Sequence, residues 1–158
     1  AFLDKLDELL AAVRGINATN GAIYMNSAIM GKFRSALRHI SYDTTLQQDI
    51  AGKRALMWNG IPVLDAGTET DGSMVLSQDE TFGDGETALA NTSSIYAVKF
   101  GSSEGDQAVT GLTNGGVMVE DLGQLQEKPA YRTRVEFYCG VGVFGGHAAA
   151  RLNGVLNA

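Results

Sequence analysis

The sequence predicts an α+β fold in which two helices and a short strand precede a run of strands. Of its 158 residues, 44% are apolar and 19% are charged, a composition typical of one folded domain and unlike that of disordered chains. Helical periodicity is confined to the first 40 residues, and strand-like patterns dominate the rest. Because helices and strands are segregated along the chain, the order favours α+β over a doubly wound sheet.

Two amphipathic helices are predicted near the start of the chain. The first covers residues 3–13 and ends at Gly15, which suits a helix C-cap. After a short strand at 21–25, Asn26 or Ser27 caps the second helix. The apolar residues that share one face are Phe2, Leu3, Leu6, Leu9, Leu10 and Val13 in the first helix, and Ile29, Met30, Phe33, Leu37 and Ile40 in the second. If the first helix packs, a Leu6→Asp substitution is expected to destabilise the fold by several kcal/mol.

A hairpin and a long acidic segment follow. Residues 41–54 are polar and aperiodic, which predicts a surface loop. Asn59-Gly60 lies between two short apolar runs and favours a two-residue hairpin turn. From Asp65 to Ser94 the chain carries acidic residues and glycines but no Lys or Arg. A loop of that length is usually functional or disordered.

The remaining chain reads as strands. We predict strands at 94–100, 108–112 and 117–121, with Asn114-Gly115 as a turn between the last two. Between Tyr131 and Val143, apolar residues alternate with polar ones, which predicts a long strand buried on one face. The 20 glycines against two prolines are typical of a turn-rich sheet protein.

Charge and cysteine content exclude several classes of protein. The net charge of -6 has the wrong sign for sequence-specific or general nucleic-acid binding. The single Cys139 forms no intrachain disulfide, and no leader or membrane-spanning run is visible, so the cytoplasm is the expected compartment. The chain begins with Ala1 rather than Met, inside an amphipathic pattern. We therefore expect it to be a truncated fragment of a longer protein.

A glycine motif near the end of the chain resembles a dinucleotide-binding fingerprint. Gly140, Gly142 and Gly145 have the spacing G-x-G-x-x-G. That fingerprint must open a βαβ unit with an acidic residue about 20 positions further on, and no acid follows Glu136. We therefore expect small residues where a strand is crowded by a neighbouring helix or backbone, and no cofactor.

Two alternative functions rest on weaker patterns. Gly101-x-Ser103-x-Gly105 has the form of a nucleophile elbow, with Asp121 and His147 in the order of a serine hydrolase. The segment that follows is a poor helix, however, whereas the elbow requires one. The acidic stretch from Asp79 to Glu86 suggests a calcium-binding module but lacks the EF-hand pattern. We assign no catalytic, cofactor-binding or metal-ligating residue.

Arg132 and Arg134 could bind phosphate on one face of the long strand. Carboxylates lie close by in the sequence at Glu120, Asp121, Glu127 and Glu136. We expect the arginines to pair with such carboxylates instead.

Ordered segments across the chain resemble one known family. They are 58–63 (WNGIPV), 94–101 (SIYAVKFG), 116–123 (GVMVEDLG), 128–138 (KPAYRTRVEFY) and 149–155 (AARLNGV). Together they resemble the C-terminal half of major capsid proteins of tailed bacteriophages, the Hong Kong 97-like fold. The helix at 3–13 and the strand at 21–25 are similar to the end of that family's spine helix entering its axial domain. The resemblance covers essentially the whole chain.

The resemblance implies a fold and a domain division. The fold would be α+β, with a central mixed sheet flanked by helices and a long C-terminal strand. Residues 1–20 would be the end of the spine helix in the peripheral domain, 21–144 the axial domain, and 145–158 the return to the peripheral domain. The arm and extended hairpin that lace neighbouring subunits together precede the spine helix in the family, so we expect this chain to lack them.

The resemblance also implies a function. The chain would be a structural, non-enzymatic subunit that self-assembles into capsomers and an icosahedral shell enclosing the DNA of a phage or prophage. Its partners would be other copies of itself, together with scaffold, portal or maturation protease. The shell would be assembled in the host bacterial cytoplasm and would be found in the virion. The acidic 65–94 segment would lie on the outer surface or at the capsomer centre.

Overall fold

Two helices and nine strands form a helix-and-sheet body and a separate two-stranded ribbon. The computed structural model describes residues 2–39, 47–48, 54–82 and 89–157. The helices are α1 (Phe2–Ala12) and α2 (Ser27–His39), and the strands of the body are β1 (Gly21–Met25), β2 (Gln47–Gln48), β3 (Arg54–Trp58), β4 (Ile61–Asp65), β5 (Glu80–Phe82), β6 (Leu89–Lys99) and β9 (Ala149–Leu156). The ribbon consists of β7 (Val109–Gln124) and β8 (Tyr131–Val143). The α+β class predicted from the sequence is confirmed.

Local signals in the sequence fix the helix ends. Gly15 follows α1 with a φ of 71°, a left-handed conformation that glycine adopts at little cost. At the start of α2 the Asn26 side-chain oxygen accepts a hydrogen bond from the Ile29 backbone N–H at 2.8 Å, which makes Asn26 the cap. The predicted helices are thus confirmed, except that Ile40 lies outside the described residues.

The body is built on a seven-stranded mixed sheet. Its strands lie in the order β2-β3-β4-β1-β6-β5, and β9 pairs with the remaining edge of β6. β1 runs parallel to β4 and antiparallel to β6, so that Ile23 lies beside Val63 on one side and Ala97 on the other. The predicted Asn59-Gly60 hairpin turn joins β3 to β4, with φ of 50° and 78° at its two residues. Positive φ at both positions is the geometry that this dipeptide favours.

One face of this sheet carries the hydrophobic core. Side chains of β1, β3, β4 and β6 on that face pack with the apolar faces of both helices in a single cluster. Phe33 of α2 is fully buried there, with its ring edge-on to Phe2 at 6.4 Å and to Trp58 at 5.7 Å between centroids. The Trp58 indole N–H also donates to the Asp7 carboxylate at 2.9 Å. α1 is therefore attached to the sheet by both apolar packing and a hydrogen bond.

The ribbon differs from the predicted arrangement in two respects. The residues around Asn114-Gly115 form no turn between strands. β7 continues through them with a shift in its pairing to β8, because β8 is long enough to pair with both halves. The strand over 131–143 is confirmed, but its apolar face is exposed instead of buried.

The first and last elements of the described chain, α1 and β9, both belong to the body. α1 packs into the core cluster, and β9 pairs with β6 beside β1. The predicted domain boundaries at 20/21 and 144/145 stay a prediction. The segment that forms a separate sheet is 109–143.

Candidate functional site

The β-ribbon is amphipathic and exposes its apolar face. Val117 lies directly opposite Phe137, and Val119 lies opposite Val135, so these side chains share a face. The apolar residues on that face are between 54% and 79% exposed; they are Val117, Val119, Tyr131, Val135, Phe137, Val141 and Val143. Single exposed apolar residues are ordinary, but a contiguous set of this size is typical of an interaction surface. We refer to these seven residues as the apolar face.

The opposite face of the ribbon is charged. Glu120 of β7 lies opposite Arg134 of β8, and the Arg134 guanidinium forms an ion pair with Glu136. The expectation that this arginine pairs with a nearby carboxylate is confirmed. Leu112, Met118 and Tyr138 are also exposed on this face. Because charged residues lie between them, this face suits contact with water better than the apolar face does.

The base of the ribbon is fixed to the body by a tight junction. The Gly101 backbone N–H donates to the Val109 carbonyl at 3.0 Å, and the Phe144 N–H donates to the Ala108 carbonyl at 3.0 Å. A Cβ at Gly101 would approach the Ala108 and Asp106 side chains to 2.8 Å, so only glycine fits without a shift. Ala108 is itself fully buried. The ribbon thus extends from a well-packed base.

A short 3-10 turn at 104–106 lies within this junction. The Asp106 carboxylate accepts hydrogen bonds from the backbone N–H groups of Ser102 at 2.9 Å and Ser103 at 3.0 Å. These bonds favour the charged form and lower the pKa of Asp106 below its ordinary value of 3.8. The Lys99 ammonium also donates to the Asp106 carbonyl at 2.8 Å. These hydrogen bonds therefore stabilise the turn that connects the body to the ribbon.

An apolar groove lies elsewhere, between the two helices and β9. Its volume is about 650 Å³, and its walls are mostly apolar side chains such as Phe2, Ile29 and Leu152. Lys5 and Lys32 border it; Lys5 pairs with Glu8 at 2.6 Å and Lys32 donates to the Leu156 carbonyl at 3.4 Å. Both lysines bordering the groove thus make contacts within the chain.

The serine-hydrolase alternative does not acquire an assembled site. Ser103 lies at the base of the ribbon, whereas Asp121 lies opposite Thr133 toward its far end. Thr133 and Val143 are ten residues apart on β8, which is about 33 Å at the usual rise of a strand. Asp121 instead accepts the Gly123 backbone N–H at 2.9 Å, and His147 lies in the turn before β9. The three residues are not brought together.

The glycine fingerprint is located in the ribbon and not at a helix. Gly140 and Gly142 are part of β8, and the chain passes from Gly145 through a turn to β9. A Cβ at Gly142 would meet the Leu112 side chain and the Phe144 ring at 3.2 Å. A Cβ at Gly140 would meet nothing within 4 Å. The predicted crowding by a helix or backbone is therefore wrong for these two glycines, because only side chains approach Gly142 and the space beside Gly140 is open.

The acidic stretch gives no calcium site in the part that is described. Glu80 accepts from the Ser94 hydroxyl at 2.5 Å and pairs with Arg151 at 3.2 Å, so its carboxylate is already used. Asp84 and Glu86 lie outside the described residues. Within 2–39, 47–48, 54–82 and 89–157, no cluster of three or more His, Cys, Asp or Glu side chains is placed to hold a metal ion.

Comparison with known proteins adds no identification. Neither a protein-family model nor a curated protein matches this chain. Across the described ranges, no helix combines the length and apolar character needed to cross a membrane.

Sequence reasoning identified the residues of the apolar face but not their role. The alternation from Tyr131 to Val143 was interpreted as one buried face of a sheet, and Val117 and Val119 as part of a further strand. The same alternation is compatible with a buried face and with an exposed docking face, because it reports which side chains share a side and nothing about what covers them. One signal could have indicated that this face is exposed. Its seven apolar positions have no amphipathic helix near them in the sequence that could pack over them.

Proposed function

We propose that the chain is a structural subunit of the major capsid protein of a tailed bacteriophage or prophage. The proposal rests on the ordered resemblance of segments such as 58–63 and 128–138 to that family. It assigns the chain the Hong Kong 97-like fold and no enzymatic activity. The subunit would self-assemble into capsomers and an icosahedral shell.

The exposed apolar face of the ribbon is the observation that carries this proposal. A single chain leaves seven large side chains of that face in water, which is unfavourable unless another surface covers them. A protein that functions in an assembly has this property, because its exposed apolar surface is buried when copies associate. The charged opposite face keeps the ribbon compatible with solvent on its other side.

The net charge of the chain bears on how the subunit would contact the enclosed DNA. With 12 basic and 18 acidic residues, the chain lacks the positive field that proteins use to hold the phosphate backbone. We propose that the shell encloses DNA without a sequence-specific contact from this part of the subunit. Scaffold, portal and maturation protease are proposed as further partners, and the virion as the final location.

Electron microscopy tests the proposal directly. The product of the complete gene would be expressed in bacteria, purified and imaged by negative staining. We expect closed shells of uniform diameter, or rings of subunits that represent capsomers. A product that stays in small particles at every concentration, with no shells or rings in the cell lysate either, would count against a capsid function.

A further inference from the structure

The apolar face of the ribbon is large enough to form a complete interface. Its seven apolar residues and Cys139 together expose on the order of 900 Å², and a standard interface buries about 800 Å² on each partner. Thr113 and Cys139 lie opposite each other in the middle of this face, and Val143 and Val135 lie toward its two ends. The face is therefore continuous from Val143 to Val135, and Asp121 and Thr133 lie between Val135 and Tyr131 on the same side.

No comparable apolar surface is found elsewhere on the described residues. Leu112, Met118 and Tyr138 on the opposite face of the ribbon are exposed as well, but they are fewer and alternate with charged residues or glycine, and those of the body, such as Leu64 and Val75, are scattered. The groove beside α1 is narrower and is bordered by Lys5 and Lys32. The surface on this chain that is most similar to the apolar face in size and apolar character is therefore the same face of a second copy. When two identical surfaces pack against each other, the contact is two-fold symmetric.

We propose that the apolar faces of two ribbons from two copies of this chain pack against each other. This rests on the proposed function in taking a second copy as the occupant. Face-to-face packing buries roughly 1,800 Å² in total, within the range of stable interfaces. It leaves the charged faces, with Glu120, Arg134 and Glu136, in solvent on the outside of the pair. The two copies of Cys139 lie near the middle of the contact.

Sedimentation velocity with matched variants on the two faces tests this contact. Val119→Lys introduces a charge on the apolar face, and Met118→Lys does so at the neighbouring position on the charged face; both side chains are exposed, at 66% and 44%. Between about 1 and 100 µM we expect a dimer whose dissociation constant rises at least tenfold in Val119→Lys and less than threefold in Met118→Lys, because only the first lysine is buried without a partner. A protein that stays monomeric at 100 µM, or equal effects of the two variants, would overturn the proposal.

Cross-linking provides a second measurement that needs no substitution in the native chain. A short bismaleimide should join two copies through Cys139, the only cysteine. In the matched variant that combines Cys139→Ser with Tyr138→Cys, the thiol lies on the charged face and cross-linking should fall at least fivefold. Equal cross-linking from the two faces would contradict the face-to-face arrangement.

The same variants separate this inference from the proposed function. Shells that still form in Val119→Lys, without loss of yield, would contradict the ribbon contact and leave the capsid function standing. A dimer that dissociates only in Val119→Lys, from a gene product that forms no shells, would support the contact and count against the capsid function.

Discussion

β1 in the body and β8 in the ribbon have opposite environments. β1 is apolar throughout and β8 is apolar at alternate positions, yet Ile23 in β1 is fully buried, whereas Val141 in β8 is 75% exposed. β1 has a strand on each side and two helices over one face. Among the elements of the described ranges, β8 has β7 as its single neighbouring strand, and neither helix packs over its apolar face. The periodicity of a strand therefore determines which side chains lie together, and the elements around it determine whether they are buried.

The difference also concerns how each region gains stability. In the body, core residues such as Phe33 contact side chains from several elements, so their burial contributes fully to folding. A two-stranded ribbon on its own is marginally stable in water. The ribbon therefore depends on its base at the body, and on any partner that covers its apolar face.

The same chemical change in the two regions tests this contrast most strongly. Leu6→Asp places a carboxylate at a fully buried position in α1, within the hydrophobic cluster. We expect the free energy of unfolding to fall by about 4 kcal/mol, from lost apolar contact and a buried charge. Urea denaturation at a concentration where the protein is monomeric gives this value.

Val141→Asp is the matched change in the ribbon. Its side chain is already in water in the monomer, so we expect a loss of less than about 1 kcal/mol under the same conditions. Equal losses from the two substitutions would mean that the ribbon is packed in solution, and the contrast between body and ribbon would be wrong.

Two arginines extend the contrast to polar contacts. In the body, Arg151 donates to the fully buried Ser94 hydroxyl at 2.9 Å, pairs with Glu80 at 3.2 Å and lies 5.8 Å from the centre of the Tyr96 ring. Removing it in Arg151→Ala leaves the buried hydroxyl and the carboxylate with one partner fewer. We expect a loss of about 1.5 kcal/mol, discounted because half of the arginine side chain is exposed.

In the ribbon, Arg134 pairs with Glu136 on an exposed face. Arg134→Ala should therefore cost about 0.5 kcal/mol or less in the monomer. Thermal unfolding followed by circular dichroism measures both values. Arg151→Lys should recover part of the loss, because it restores the charge but not the contact with the tyrosine ring. Equal losses in the free energy of unfolding from Arg134→Ala and Arg151→Ala would show that the charged residues of the ribbon stabilise the fold as much as those of the body.

The local part of the fold could be predicted from the sequence. α1 and α2 follow from apolar spacing, the Asn59-Gly60 turn from its dipeptide, and β8 from alternation over 131–143. Each of these signals involves residues within a few turns or one strand of each other. Such short-range patterns are what the backbone geometry of helices and hairpins dictates directly.

The part that could not be predicted depends on contacts between distant residues. Asn114-Gly115 has the composition of a turn, and its place within β7 is decided by pairing with β8, more than 20 residues later. Glu80 and Arg151 are separated by 71 residues, so their pairing has no local signal. The apolar face was visible in the sequence, but its exposure depends on the absence of a covering layer among the described elements, which no residue pattern within the ribbon specifies.

The smallest effect on stability is expected at the junction between body and ribbon, because the hydrogen bonds of the Asp106 carboxylate are made to residues of the same turn. Protonation of Asp106 removes the acceptor charge to which the Ser102 and Ser103 N–H groups donate. Because its folded-state pKa lies below the ordinary value of 3.8, its carboxylate stabilises the turn at neutral pH. That contribution is lost only as the pH falls through the lowered pKa. In an NMR titration, we expect the Asp106 carboxyl to titrate below pH 3.8, with the two serine amide signals following the same midpoint.

Asp106→Ala should then abolish the shared midpoint at the two serine amides and leave the free energy of unfolding of the body nearly unchanged. The carboxylate is fully exposed and binds only within its own turn, so its loss affects the position of the ribbon base and not the core. A midpoint at or above 3.8, or a large loss of stability in Asp106→Ala, would show that the junction is coupled to the body more strongly than its hydrogen bonds indicate. With the expected result, the carboxylate of Asp106 sets the local conformation of the turn and contributes little to the stability of the body.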